Sequence, residues 1–268
     1  ESYDKAISIN PDYANAWNNR GLVLRDLGKD KEALESYDKA ISINPNHSYA
    51  WNNRGNTLRD LGKDKEALES YDKAISINPD YADAWYNRGN TLRDLGKDKA
   101  ALESYDKAIA LNPNNSYAWN NRGLILRDLG KHNEALNSYD KAISINPDYA
   151  NAWNNRGLVL RDLGKHNEAL NSHDKAIALN PNNSYAWNNR GITLGNLGKH
   201  KEALNSYDKA IALNPKDSMA WNNRGWSLQK LENYQEALVS YDKAIALNPD
   251  NSYAIKNRIF VLKKLSKL

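Results

Sequence analysis

The side chains able to do chemistry are few, and most of them are regularly spaced. Five histidines, His47, His132, His166, His173 and His200, are the candidate general bases or metal ligands. Three of them, His132, His166 and His200, recur every 34 residues. In stacked helices such residues stand about 8–10 Å apart, whereas zinc needs its nitrogens about 2 Å from one point. No single metal joins them, and they read as solvated residues opening a helix. The absence of cysteine removes disulfides, thiol nucleophiles and thiolate metal sites. The chain contains no GxSxG elbow, phosphate-cradling loop, HExxH helix or dinucleotide fingerprint. Carboxylate pairs such as Glu35 and Asp38, beside Lys39, fall on an outward helical face and read as solubility. No catalytic residue, metal or cofactor is expected, and the chain is not expected to be an enzyme.

What recurs instead is amide and charge. Asn19, Asn53, Asn87, Asn121, Asn155, Asn189, Asn223 and Asn257 form an unbroken series, with Asn18, Asn52, Asn120, Asn154, Asn188 and Asn222 beside them. An amide both donates and accepts, so a row of them can pair with the backbone of an extended peptide whatever its side chains. One helical turn further on lie Leu22, Asn56, Asn90, Leu124, Leu158, Ile192, Trp226 and Phe260. The apolar members suggest contact sites concentrated toward the C-terminal half, or burial against a neighbouring helix. Arg25, Arg59, Arg93, Arg127 and Arg161, each followed by Asp, add a strip of both signs that ends at Gly195-Asn196. It reads ligand side chains or forms an internal ion-pair ladder.

These columns need elements to hold them, and the period supplies them. Trp17, Trp51, Trp85, Trp119, Trp153, Trp187 and Trp221 keep a spacing of 34, as do the prolines from Pro11 to Pro249. Repeats therefore run 14–47, 48–81, 82–115, 116–149, 150–183, 184–217 and 218–251, after a second-helix remnant at 1–13 and before an unpaired capping helix at 252–268. Within one repeat, Ala16, Trp17, Gly21, Leu24 and Leu27 fall at helical spacing until Gly28 breaks the run. Ala33, Leu34, Tyr37, Ala40, Ile41 and Ile43 trace a second helix that Asn44-Pro45 stops. Asp12, Asn46 and Asp80, each after a proline, are placed to cap the next first helix. Trp17 and Tyr37 are expected to be the large buried groups, with Gly21 against Ala33, small on small.

Trp17, Gly21, Leu24, Ala33, Tyr37, Ala40 and Pro45 together resemble the tetratricopeptide signature, repeated through the whole chain. Departures are His173 in a Tyr slot, Ile255 and Ile259 for Trp and Gly, and Arg20 and its equivalents where the family often has Leu. The resemblance implies an all-α, right-handed superhelical solenoid of antiparallel helix hairpins, first helices lining a concave groove. It also implies an asparagine ladder similar to that of the O-GlcNAc transferase array, at the positions of the series through Asn19. A carboxylate clamp is disfavoured, because Asn18 and Asn52 stand where its lysines would be.

The expected role is a scaffold that binds an extended peptide or helix of a partner protein in that groove. A structural or self-associating array, stacked end to end, and a sensor or targeting domain of a larger enzyme are the alternatives. Net charge is +4, with 37 basic and 33 acidic residues interleaved, which gives no nucleic-acid or membrane footprint. No apolar run approaches the roughly 20 residues of a membrane span, and a cytoplasmic location is expected, with the N-terminus read as missing because Glu1 begins inside a helix.

Overall fold

The computed structural model describes residues 2–267; Glu1 and Leu268, which the sequence reading places at the outer ends of the terminal helices, lie outside it. Sixteen helices and no strand occur among the described residues. They are α1 (Ser2–Ile9), α2 (Ala14–Asp26), α3 (Asp30–Ile43), α4 (Ser48–Asp60), α5 (Asp64–Ile77), α6 (Ala82–Asp94), α7 (Asp98–Leu111) and α8 (Ser116–Asp128). There follow α9 (His132–Ile145), α10 (Ala150–Asp162), α11 (His166–Leu179), α12 (Ser184–Asn196), α13 (His200–Leu213), α14 (Ser218–Lys230), α15 (Tyr234–Leu247) and α16 (Ser252–Leu265). The chain divides into two compact units, one ending at Leu129 and one beginning at Gly130. Both are built from the same hairpin.

The turn inside each hairpin is a glycine cap. Gly28 takes φ +71°, and its N–H and that of Lys29 bond back to the carbonyls of Arg25 and Leu24 at 2.9 and 2.8 Å. That pair of bonds reverses the chain within one residue, and a left-handed φ favours glycine. Glu232 does the same job at φ 62°, the one positive-φ position among the described residues that carries a side chain. The second helix ends at an extended asparagine, Asn44 after α3, as the Asn-Pro pair predicts.

First-helix capping differs from expectation by one residue. The N-caps are Tyr13, His47, Tyr81, Asn115, Tyr149, Asn183, Asp217 and Asn251, not Asp12, Asn46 and Asp80. The earlier asparagine of each connection takes an Asx turn, Asn44 Oδ1 accepting from the Asn46 N–H at 3.1 Å, and this pushes the helix start one residue on.

The hairpin interior also departs from small on small. A methyl at Gly21 would lie 2.5 Å from Cε1 of Tyr37, and the same close approach joins Gly55 to Tyr71, Gly89 to Tyr105, Gly191 to Tyr207 and Gly225 to Tyr241. The absent Cβ makes room for a ring. The tyrosines are fully buried with Ala33, Ala40 and their equivalents. The seven periodic tryptophans are only half-buried. Each lays its indole across the hairpin mouth and donates Nε1–H to a proline carbonyl six residues back, at 2.8–3.1 Å. Tyrosine fills the core and tryptophan closes its edge.

Successive first helices touch: α2, α4, α6 and α8 in one unit, α10, α12, α14 and α16 in the other. Successive second helices do not. Within each unit the first helices therefore crowd onto the inner side of a curve and the second helices fan apart.

Candidate binding groove on the first helices

The inner side is where the amide column lies, and the amides bond to one another. Asn53 donates to Asn18 at 3.0 Å, Asn87 to Asn52 at 3.1 Å, Asn189 to Asn154 and Asn223 to Asn188 at 3.2 Å, each across the seam between repeats. The second amide of a pair turns back onto the first, Asn18 donating to Asn19 at 3.2 Å and Asn120 to Asn121 at 3.1 Å. Tyr86 interrupts the inner column, and Asn121 there bonds to Asn90 at 2.9 Å and to the Tyr86 hydroxyl at 3.4 Å. The row expected to be open is thus partly consumed by holding the repeats together. Asn18, Asn52, Asn120, Asn121 and Asn222 are buried; Asn19, Asn53, Asn87, Asn155, Asn189, Asn223 and Asn257 are half-buried. A half-buried amide with one N–H and one lone pair used keeps one of each for a ligand.

The apolar column is half-buried at Leu22, Leu124, Leu158, Ile192 and Trp226 and exposed at Phe260. Where it carries asparagine, the core tyrosine uses it: Tyr71 donates to Asn56 at 2.8 Å and Tyr105 to Asn90 at 2.9 Å. Burial pushes the Tyr71 phenol up to about 12. The arginine strip pairs internally. Arg25 reaches Asp60 of the next repeat at 2.8 Å; Arg93 bonds Asp94 at 2.9 Å and Arg127 bonds Asp128 at 3.0 Å, while Arg59 and Arg161 stand 3.8 and 3.7 Å from their aspartates.

Two further columns have roles that the sequence does not show. Arg20, Arg54, Arg88, Arg122, Arg156, Arg190 and Arg224 each donate Nε–H to an aspartate of the preceding second helix, at 2.6–2.9 Å. Arg258 does the same to Asp242. In the complete cases Nη1 also donates to a buried serine of the following second helix, as Arg88 does to Ser104 at 2.8 Å, and the guanidinium lies 5.9 Å over Trp85. Asp38, read from sequence as a solubilising charge, is one of these acceptors, from Arg54 at 2.7 Å. The second column is Tyr49, Tyr117, Tyr185, Met219 and Tyr253, exposed rings and a thioether two residues before the tryptophan or its equivalent in α4, α8, α12, α14 and α16; Asn15, Asp83 and Asn151 take the place in α2, α6 and α10. Only their period could have revealed either.

The histidines do not converge. His47 caps α4, its Nδ1 accepting from the Ala50 N–H at 3.4 Å, and burial lowers its pKa. His132, His166 and His200 open α9, α11 and α13 half-buried, less solvated than expected. At His200, burial and then Lys230 lower the pKa. His173 fills the tyrosine slot, a methyl at Gly157 falling 2.5 Å from its Cε1. Its two ring nitrogens are buried without a hydrogen-bond partner, and burial, then Arg161 and Arg190, push its pKa down to about 3.

On the inner side of the second unit an open pocket of about 350 Å³ lies among α12, α14 and α16, lined by Ile192, Asn196, Tyr207, Asn222, Asn223, Trp226, Tyr253 and Asn257. Four residues of the expected groove columns, Ile192, Asn223, Trp226 and Asn257, meet there.

Helix hairpins joined by caps of this kind and stacked through their first helices define an all-α solenoid. Residues 14–47, 82–115, 150–183, 184–217 and 218–251 match the tetratricopeptide repeat, 36–69 and 104–137 match a further tetratricopeptide repeat profile, and 55–92 and 123–161 match the TPR repeat. The chain belongs to the tetratricopeptide repeat family. No curated protein matches it. Among solved structures it is similar to YrrB, described as a TPR protein with an unusual peptide-binding site, at 29% identity over 69% of this chain and 96% of that one, TM-score 0.59. It is similar to MamA at 30% identity over 59% of this chain and 93% of that one, TM-score 0.56. A tetratricopeptide repeat protein from Parabacteroides merdae shares the fold at 21% identity, over 93% of this chain and 98% of that one, TM-score 0.67. Among the described residues no helix is long and apolar enough to cross a membrane. The family and its neighbours support a protein-interaction scaffold.

Proposed function

We propose that the chain holds an extended segment of a partner protein against the inner, first-helix side of its units, binding it without turnover. The observation that carries this is the exposed column of Tyr185, Met219 and Tyr253 on the successive first helices α12, α14 and α16, beside half-buried amides with spare bonding capacity. The arginine clamps and the hairpin cores account for stability without these rings, and large exposed apolar groups in a row mark interaction surfaces. Backbone pairing by the amides gives affinity that accumulates along several repeats, because an extended peptide advances about 3.3 Å per residue and meets a new first helix every 8–10 Å or so. The arginine strip contributes only where a ligand charge competes with its aspartates.

A head-to-tail reading, with α1 of one copy completing a hairpin on α16 of another, runs against Ile259. It occupies the slot where glycine admits a tyrosine ring in other repeats, and Tyr3 would meet its side chain.

The test is selection of peptides from a random displayed library on the folded protein, followed by affinity measurements. Replacing Tyr185 and Met219 by Ala is expected to weaken the selected peptides several-fold with melting unchanged. Replacing Lys107, exposed on the second-helix side, by Glu is expected to leave binding intact. Binding lost in the Lys107 variant and kept in the other would move the interaction surface to the outer side.

A further inference from the structure

The amide ladder has one open rung. In earlier repeats the inner amide oxygen accepts from the next repeat, as Asn188 Oδ1 does from Asn223. Asn222 is 7% exposed, and its Oδ1 has no hydrogen-bond partner. Asn257, which would supply it by analogy, lines the same pocket and has no hydrogen bond among the described residues. A buried carbonyl left unpaired is costly, and Asn222 is one of the residues lining a pocket large enough for a side chain.

The walls of that cavity differ from every earlier repeat. Gly195 replaces the arginine of the strip, and Trp226 of the next first helix fills the vacated space, its Cζ3 lying 3.1 Å from where a Gly195 methyl would be. Trp226 is the one tryptophan outside the period, and its indole N–H, unlike the other seven, donates to nothing among the described residues. The charge has changed as well. Where earlier repeats carry Asp26, Asp60, Asp94, Asp128 and Asp162, these carry Asn196, Lys230 and Lys264, and Lys256 replaces the inner asparagine on α16. Lys230 lies 5.4 Å over Trp226 and Lys264 5.6 Å over Phe260, on neighbouring helices α14 and α16. Lys230, Lys256 and Lys264 have no carboxylate partner among the described residues, and no carboxylate lines the pocket.

We propose that this pocket is the anchor site for an acidic peptide segment. A leucine-sized apolar side chain sits against Trp226 and Ile192, the backbone N–H bonds Asn222 Oδ1, a backbone carbonyl meets the Asn257 amide, and flanking carboxylates face Lys230, Lys256 and Lys264. The inference rests on the groove reading above and adds to it a position and a sign of charge. Apolar burial gives the anchor its affinity, and the unpaired ammonium groups exclude basic segments by like-charge repulsion.

The experiment is fluorescence anisotropy on the full chain with three labelled peptides: one leucine flanked by glutamates, the same leucine flanked by lysines, and the glutamate peptide with alanine for leucine. The acidic leucine peptide is expected to bind at least tenfold more tightly than either other peptide, and less tightly as salt rises. Trp226→Ala should weaken it about tenfold. Lys230→Glu with Lys264→Glu should reverse the charge preference. Gly195→Arg, which restores the residue of the first five complete repeats, displaces Trp226 from its place against α12 and should abolish binding, with melting measured alongside so that a folding defect is told apart. Equal binding of the lysine peptide, absence of binding by the acidic one, or an unchanged affinity in Trp226→Ala would overturn the proposal. Loss of binding in the Tyr185 and Met219 variants alone would leave the groove reading standing and reject the anchor. Indifference to both sets of variants would reject the groove itself.

Discussion

Inside a hairpin the helices meet through a ring seated on bare backbone; between hairpins guanidinium, carboxylate and amide groups join apolar contacts such as that of Ala176 and Ile177 with Ala186. The interior is alike wherever a hairpin is complete, down to the 2.5–2.7 Å gap that only glycine tolerates. The seam changes along the chain: arginine and aspartate give way to Gly195, Gln229 and lysine, and the amide ladder breaks at Asn222. A shape-filled interior has one solution per repeat, whereas a polar seam can lose a partner without unfolding its neighbours, and what it loses becomes available to a ligand. The proposed anchor site lies where the seam runs out of internal partners.

The sharpest way to break the comparison is to attack each side in turn and compare melting by denaturant. Tyr71→Ala empties a fully buried slot and should destabilise by about 3–5 kcal/mol. Trp119→Ala should cost less, about 2–3 kcal/mol, because the ring is half-buried although its bond to Pro113 is lost. On the seam, Arg88→Ala removes the bonds to Asp72 and Ser104 and should cost about 1–2 kcal/mol, with the aspartate side discounted for its exposure. A seam variant more damaging than Tyr71→Ala would invert the account.

His173 sharpens it further. Its folded pKa, about 3, lies below the ordinary histidine value, so the unfolded chain binds more protons between the two. Stability should therefore fall as pH drops below about 6.5, by about 1.4 kcal/mol per unit at most. Between pH 6.5 and 5, before carboxylates titrate, His173→Tyr should flatten that slope and raise stability; an unchanged slope would place the effect elsewhere. The smallest effect is at the turn: Glu232→Gly relieves a left-handed residue and should stabilise by about 1 kcal/mol, read as a rise in denaturation midpoint.

The hairpins were legible because 3.6-residue periodicity, Gly28 and Asn44-Pro45 each constrain the backbone locally. The side-chain partners were less so. Glycine at Gly21 announces a close approach without saying that Tyr37 supplies the ring. Arg20, Ser36 and Asp38 lie 16 or more residues apart and meet only after the repeats stack, so the reading left Arg20 as a departure and Asp38 as a solvated charge. The asparagine series was visible, but its division between seam and groove depends on rotamers that no spacing encodes. Trp226 stood out in its column; that Gly195 makes room for it became apparent only with the neighbouring helix in place.

The most direct test of the account uses the eight tryptophans as reporters. The indole N–H groups of Trp17, Trp51, Trp85, Trp119, Trp153, Trp187 and Trp221 are held by proline carbonyls, and that of Trp226 donates to nothing among the described residues, so a 1H–15N correlation spectrum reads them separately. Titration with the glutamate-flanked leucine peptide should move the Trp226 resonance and leave the other seven in place. A shift confined to the periodic tryptophans, or binding that leaves Trp226 unmoved, would contradict the claim that recognition sits where the ladder opens.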